Sequence, residues 1–328
     1  MQSFRVVAQY RESPAEGIQV VSKNLVDELR GRGHPVSVVE PSRLISRLLL
    51  FFVAPTDVVV FTHGPGRGVV IVSWLLRHVT SSRIIWVATR PDLKNTPRIL
   101  KHRRTAHGVV MNPGRRDVLR FTSGADVEEQ FIGIDPARLT NVRALEHGAE
   151  LRGKGVIRRA LHVGHLKENR GLDLLAQLQR EVGDDWQIVV QGSPTFVPEP
   201  GVVEELQAAG VLVDRDFVEN LSEVYASADV YLFPVRPGDD AGAIDLPLSV
   251  VEAVACHLPV ISTPFGSLPR ALEGVRGVDF IPDAEFVAGT LALLSQQDYP
   301  SELPDGLPHR LHAERTIEAV LKLTASWS

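Results

Sequence analysis

Short, continuously apolar, β-branched runs alternate along this chain with longer segments of helical spacing, and that alternation most constrains its fold. FRVVA (4–8) precedes IQVVSKNLVDELRGRG (18–33), in which Val21, Leu25 and Leu29 mark one helix face and Gly33 ends it. VSVVE (36–40), DVVVFTH (57–63), RIIWVA (83–88), HGVVMN (107–112) and EEQFIGI (128–134) are the next predicted strands. A run that is apolar at every position, rather than at every second one, needs cover on both faces. That is the condition of a strand in a parallel sheet flanked by helices.

The rhythm breaks at DPARLTNVRALEHGAELRGKG (135–155), a polar stretch that reads as an inter-domain segment. It then restarts. IRRALHVG (157–164), DWQIVVQG (185–192), DVYLFPV (229–235), VIST (260–263) and VDFIP (278–282) are predicted strands. GLDLLAQLQREV (171–182), VVEELQAAG (202–210), LSEVYASA (221–228), EFVAGTLALLSQQ (285–297) and ERTIEAVLKLTAS (314–326) are predicted helices. A chain of 328 residues is long for one core and comfortable for two. The expected architecture is α/β, with two doubly wound domains at 1–150 and 151–328 facing a cleft. Ligands of such sheets bind beyond the strand carboxyl ends, often against helix N-termini.

Composition excludes several classes. With 44% hydrophobic and 23% charged residues the chain is an ordinary globular one. A net charge of −5 argues against a nucleic-acid binder. The single cysteine, Cys256, rules out an intramolecular disulfide and suits a reducing, cytoplasmic setting as a small core residue. LISRLLLFFVA (44–54) is too short to span a bilayer, so the expectation is a soluble protein with peripheral membrane contact left open. There is no P-loop, no Gly-x-Gly-x-x-Gly after the first strand and no Gly-x-Ser-x-Gly elbow. The eleven histidines read as scattered singly, which predicts no metal site.

DLPLSVVEAVACHLPVIST (245–263) is the strongest positive signal. Pro247 suits the start of a helix, where its missing N–H costs nothing. The amides of Leu248 and Ser249 then lie at the positive end of the helix dipole, where a diphosphate could bind. Glu252, about one turn on among apolar neighbours, either reaches solvent or is bound, because a buried unpaired carboxylate is expensive. Asp245 reads first as a capping residue.

These residues carry a resemblance. ENLSEVYASADVYLFPV followed by DLPLSVVEAVACHLPVISTPFGSLPRAL resembles the donor-binding half of retaining glycosyltransferases of family 4. HVGHLKENRGLDLLAQL (162–178) is similar to that family's Gly-Arg-Leu…Lys-Gly-x-x-x-Leu-Leu segment, and FIGIDPARL (131–139) to its Gly-x-Asp motif. The first helix with its following Gly-His is similar as well. The resemblance implies a GT-B fold, two Rossmann-like domains around a cleft, with the last helix packing back on the N-terminal domain. It implies metal-independent transfer, with no cofactor, of a sugar from a nucleotide diphosphate sugar to an acceptor.

Carried over residue by residue, Glu252 matches the glutamate that binds the donor ribose, and Arg170 the lysine at the diphosphate. His165 stands where the family has arginine. Gly17 matches one glycine of the phosphate loop, and Glu16 replaces the other. The first glutamate of the family's pair falls on Ile244, with Asp245 adjacent as a stand-in toward the donor sugar. His63, ending DVVVFTH, is the candidate active-site histidine, with a structural strand-end role the alternative. The alternatives for the whole chain are another GT-B enzyme such as a 2-epimerase, or a nucleotide-sugar binder or inactive homologue acting as a partner subunit. Residues 90–121 hold nine Lys or Arg against two Asp, leaving the remainder near −12. Lys101, Arg103, Arg104, Arg115 and Arg116 there are candidates for an anionic acceptor or membrane surface, or form a solvated basic face.

Overall fold

A computed structural model describes residues 1–12, 14, 16–43, 50–62, 64, 66–89, 104–115, 124–139, 157–218, 221–236, 244–296, 299–300 and 302–327. Two compact units emerge. One comprises Met1–Asp135, Ala243–Leu246 and His309–Ser328, and the other Pro136–Gly242 and Pro247–Pro308. The division falls after Asp135, ahead of the expected boundary at 150, and the last twenty residues belong with the first unit.

The first unit holds six parallel strands: β1 (Phe4–Val7), β2 (Val36–Val39), β3 (Val58–Phe61), β4 (Arg83–Ala88), β5 (Gly108–Met111) and β6 (Asp126–Glu129). Their order is β2-β1-β3-β4-β5-β6, so the direction of winding reverses between β1 and β3. Every residue of β1, β3 and β5 is buried, which is why those runs are apolar without alternation. The Gly17–Gly31 helix buries Val21, Leu25, Val26 and Leu29, and the chain leaves it through Gly33 at φ +84°. The Arg67–Val79 helix, which the sequence reading passed over, buries Val70, Ser73 and Leu76. The core on one face of the sheet joins Phe51, Val70, Leu76 and Trp86 to Val59, Phe61 and Val109.

The C-terminal helix Ala313–Ala325 packs within this unit, against the Gly17–Gly31 helix, β5 and β6. It is tied in by backbone: Ile134 N–H donates to Leu311 at 3.0 Å and Ala313 N–H to Ile134 at 2.7 Å. The approach is so close that a Cβ on Gly133 would lie 1.7 Å from the Leu311 carbonyl oxygen.

The second unit holds β7 (Arg158–Gly164), β8 (Trp186–Gly192), β9 (Leu212–Asp214), β10 (Val230–Phe233), β11 (Val260–Ser262) and β12 (Val278–Phe280), all parallel in their pairings. The order β9-β8-β7-β10-β11-β12 is that of a dinucleotide-binding sheet, with its switch point between β7 and β10. Helices Leu172–Glu181, Val202–Ala208 and Phe286–Leu294 supply Leu175, Leu178, Leu206, Phe286 and Leu294 to one core with Ile188, Val190 and Leu232. β9 had no counterpart in the sequence reading. It is three residues long and mostly exposed, so it carries little apolar signal.

Candidate functional site

The switch point of the second sheet gathers five of the residues singled out from the sequence: His165, Arg170, Leu248, Ser249 and Glu252. β7 ends in Val163 and Gly164, and the chain then presents His165 and, in the short turn Glu168–Arg170, the guanidinium of Arg170. Gly171 follows in the left-handed region at φ +70°, where a Cβ would lie 2.2 Å from the Pro234 carbonyl oxygen. Only glycine lets the chain turn here into the Leu172–Glu181 helix while β10 continues beside it. Arg170 Nη2 donates to His165 Nδ1 at 3.5 Å, so the guanidinium carries the permanent charge of the pair.

From the other side comes the helix Leu248–Ala255, with Pro247 as its N-cap. Pro247 accepts from Val250 at 3.2 Å and Val251 at 3.4 Å. The Leu248 and Ser249 amides, in the first turn, have no intrahelical acceptor. Tyr231, fully buried on β10, joins the two sides. Its hydroxyl donates to the Val163 carbonyl at 3.2 Å and accepts from the Val163 amide at 3.4 Å, and it also hydrogen-bonds Ser249. Burial raises the Tyr231 phenol above its usual range, so it stays protonated as a fixed cross-link.

Glu252 is 5% exposed, yet it is neither solvated nor alone. Tyr225, wholly buried on the Leu221–Ala226 helix, donates to Glu252 Oε2 at 2.9 Å. Burial and the neighbouring carboxylate push the Tyr225 hydroxyl well up. From the sequence, solvent and a ligand are the two ways to keep this carboxylate. The fold supplies a third, an internal tyrosine. Burial, with the charge of Glu252 second, also pushes the Cys256 thiol up to about 12, which suits the core role expected for it.

Beneath the cluster lies His162, 1% exposed on β7. Its Nδ1–H donates to Leu232 at 2.9 Å, and its Nε2 has no partner among the described residues. Burial lowers its pKa to about 4, so the ring is neutral near pH 7. Tyr225, Tyr231 and His162 were not found from the sequence. All three lie inside the segments that carry the family resemblance without being singled out in them, and the one further signal was that a buried tyrosine needs a partner.

The remaining candidates lie in the first unit. Gly17 is the first residue of its helix, and the Glu16 carbonyl accepts from Gln19 and Val20 while its carboxylate makes no capping bond. Asp245 does not cap the 248–255 helix. Its carboxylate is buried and accepts from Asn112 Nδ2 at 2.6 Å and from Arg115 Nη1, and its own amide donates to Thr89 at 3.1 Å. A desolvated carboxylate needs a cation, and Arg115 supplies it. That takes Arg115 out of the basic surface expected for 90–121. Arg104 is exposed. His63, Lys101, Arg103 and Arg116 lie outside the described residues. No helix among the described residues is long and apolar enough to cross a membrane.

Residues 157–296 match the family model for glycosyl transferases group 1. A protein of Salmonella typhimurium described as a colanic acid biosynthesis glycosyltransferase, WcaL, is 24% identical over 176 residues, 51% of this chain and 42% of that protein. The chain thus spans less than half the length of this curated relative. Sucrose-phosphate synthase from Thermosynechococcus elongatus superposes over 98% of this chain and 95% of its own, with TM-score 0.67 at 14% identity. HepE from Anabaena, in complex with UDP-glucose, does so over 99% and 100%, with TM-score 0.65 at 13% identity. The fold is therefore GT-B, and the group 1 match over the second unit's sheet supports a glycosyltransferase.

Proposed function

We propose that the protein transfers a sugar from a nucleotide diphosphate sugar to an acceptor, with retention of configuration and without a metal. One observation carries this. At the switch point of the second sheet, a permanent cation, a helix N-terminus and a buried carboxylate converge, held together by Tyr231. The same region matches the group 1 model, and a GT-B neighbour was solved with UDP-glucose.

Arg170 and the amides of Leu248 and Ser249 bind the diphosphate and take up its growing charge as the sugar leaves. These donors are fixed before the reaction, so little reorganisation is needed when charge develops. His165 donates from Nε2 to the same group. Tyr225 donates to Glu252 Oε2 and holds its orientation, and the carboxylate binds the ribose hydroxyls. The roles that the resemblance gives to Gly17 at the donor phosphate and to His63 as the active-site histidine are part of this reading.

The test is thermal shift and calorimetry with a panel of nucleosides, nucleotide diphosphates and their sugars. Arg170→Met should weaken diphosphate binding roughly 10–100-fold, the value of a charge-assisted bond, and leave the bare nucleoside unaffected. A wild type that no nucleotide stabilises would sink the proposal. The anomeric configuration of a product, read by NMR, tests retention, and activity in chelator tests metal independence.

A second reading, a nucleotide-sugar binder without transfer, draws on one observation. Ile244 stands where the family has its first glutamate, and the adjacent Asp245 is already engaged by Asn112 and Arg115. A bound donor that is neither hydrolysed nor transferred with any acceptor would favour it.

A further inference from the structure

The histidines that read as scattered include one group that the fold assembles. We propose that His309, His312 and Glu314 form a site for a first-row divalent transition metal, zinc being the natural occupant. One ligand atom from each of the three lies within 4.8 Å of the other two. His309 Nε2 and Glu314 Oε1 are 2.8 Å apart, and the two imidazole rings are 5.2 Å apart at 63°. Two imidazoles and one carboxylate suit zinc, nickel or copper, whereas magnesium and calcium prefer all-oxygen shells.

The scaffold favours this use. His309 belongs to the short turn His309–Leu311, His312 is the N-cap of the Ala313–Ala325 helix, and Glu314 is in that helix's first turn. Between them the backbone is anchored: Leu311 is fully buried, and Ile134 bonds to both Leu311 and Ala313. The ligand side chains themselves point outward, His309 and Glu314 exposed and His312 half-buried. Tetrahedral zinc with bonds of about 2.0–2.2 Å places its ligands roughly 3.3–3.5 Å apart. The present spacing is within side-chain reach of that geometry, on a backbone anchored by Ile134. A metal at Nε2 takes the place of the hydrogen that His309 directs at Glu314, and the neutral imidazole then carries its one N–H on Nδ1. The positive end of the helix opposes a cation here, and Arg310 and Arg315 are neighbours in sequence. Glu314 offsets the first, and Arg315 is paired with Glu318. Three protein ligands leave a fourth position for water.

The ion would clip the turn that leads into the C-terminal helix to that helix's own first turn. It therefore belongs to the stability of the first unit and has no part in the donor chemistry of the second. The test uses the untagged full chain, stripped with chelator and titrated calorimetrically with zinc chloride, with magnesium chloride as the hard-ion control. One zinc per chain is expected, with no saturable magnesium binding. His309→Ala and His312→Ala should each weaken zinc binding roughly tenfold or more, and Glu314→Gln should weaken it less. Zinc should raise the melting temperature of the wild type and not that of His309→Ala, whose metal-free melting temperature should equal the wild type's because that side chain is exposed. Cobalt in place of zinc should give visible d–d absorption that both histidine variants lose. Absence of a one-to-one zinc isotherm, or an unchanged one in the His309→Ala/His312→Ala double variant, would overturn the proposal.

Discussion

At the residue scale, the buried carboxylates and the Tyr231 hydroxyl each have partners inside their own unit. Glu252 is held by Tyr225, Asp245 by Asn112 and Arg115, and the Tyr231 hydroxyl by Val163 and Ser249. Tyr225→Phe removes one hydrogen-bond donor from a buried carboxylate. It should cost about 1–3 kcal/mol of stability by denaturant unfolding, and also weaken nucleotide binding by loosening Glu252. His162 gives a pH signature. Its folded pKa is lowered to about 4 by burial, while the unfolded ring has its ordinary value near 6.5. The unfolded state therefore takes up a proton first as pH falls. The stabilising contribution is fully present above about pH 6.5 and is lost progressively toward pH 4. His107, lowered to about 4 by burial and then by Arg77 and Arg83, adds a term of the same sign in the first unit. His162→Asn keeps a donor for Leu232 and removes the titration. The urea midpoint of this variant should fall less steeply between pH 6.5 and 4 than that of the wild type.

At the scale of elements, what matters is how strands hand the chain to helices. After β7 the chain needs the Glu168–Arg170 turn and a left-handed residue to start the next helix, and Gly171 provides it against the Pro234 carbonyl. Gly171→Ala combines left-handed strain with a backbone clash. It should cost at least about 2 kcal/mol, read from unfolding curves, and lower diphosphate affinity because Arg170 sits one residue upstream. The 248–255 helix is set by a proline at its N-cap, and its apolar character reflects burial of nearly every residue. Its start was legible because proline at a helix entrance has a local cause. The partner of Glu252 was not, because Tyr225 lies 27 residues away and meets it only through the fold.

At the scale of the whole molecule, the chain leaves the first unit and returns to it. Ile317, Val320 and Leu323 of the C-terminal helix are essentially fully buried within that unit. Each buried aliphatic side chain is worth about 1.5–3 kcal/mol, and their sum rivals the entire stability of a typical domain. A chain ending at residue 308 should therefore lose hydrogen-exchange protection in β1, β5 and β6 while β7, β8 and β10 keep theirs. Equal protection throughout would show that the helix is dispensable.

The sequence by itself determined the two doubly wound sheets, the positions of most strands and helices, and the helix entrance at Pro247. These rest on local causes: apolar runs that need two covered faces, helical spacing, glycine and proline at element ends. Tertiary structure alone decided which polar groups meet. Asp245 looked like a helix cap and became the buried partner of Asn112 and Arg115. Arg115 looked like part of a basic surface and became its counterion. Histidines that seemed scattered came together at the entrance to the last helix. A side chain's partner is chosen by desolvation across long sequence separations, and spacing along the chain carries no record of that.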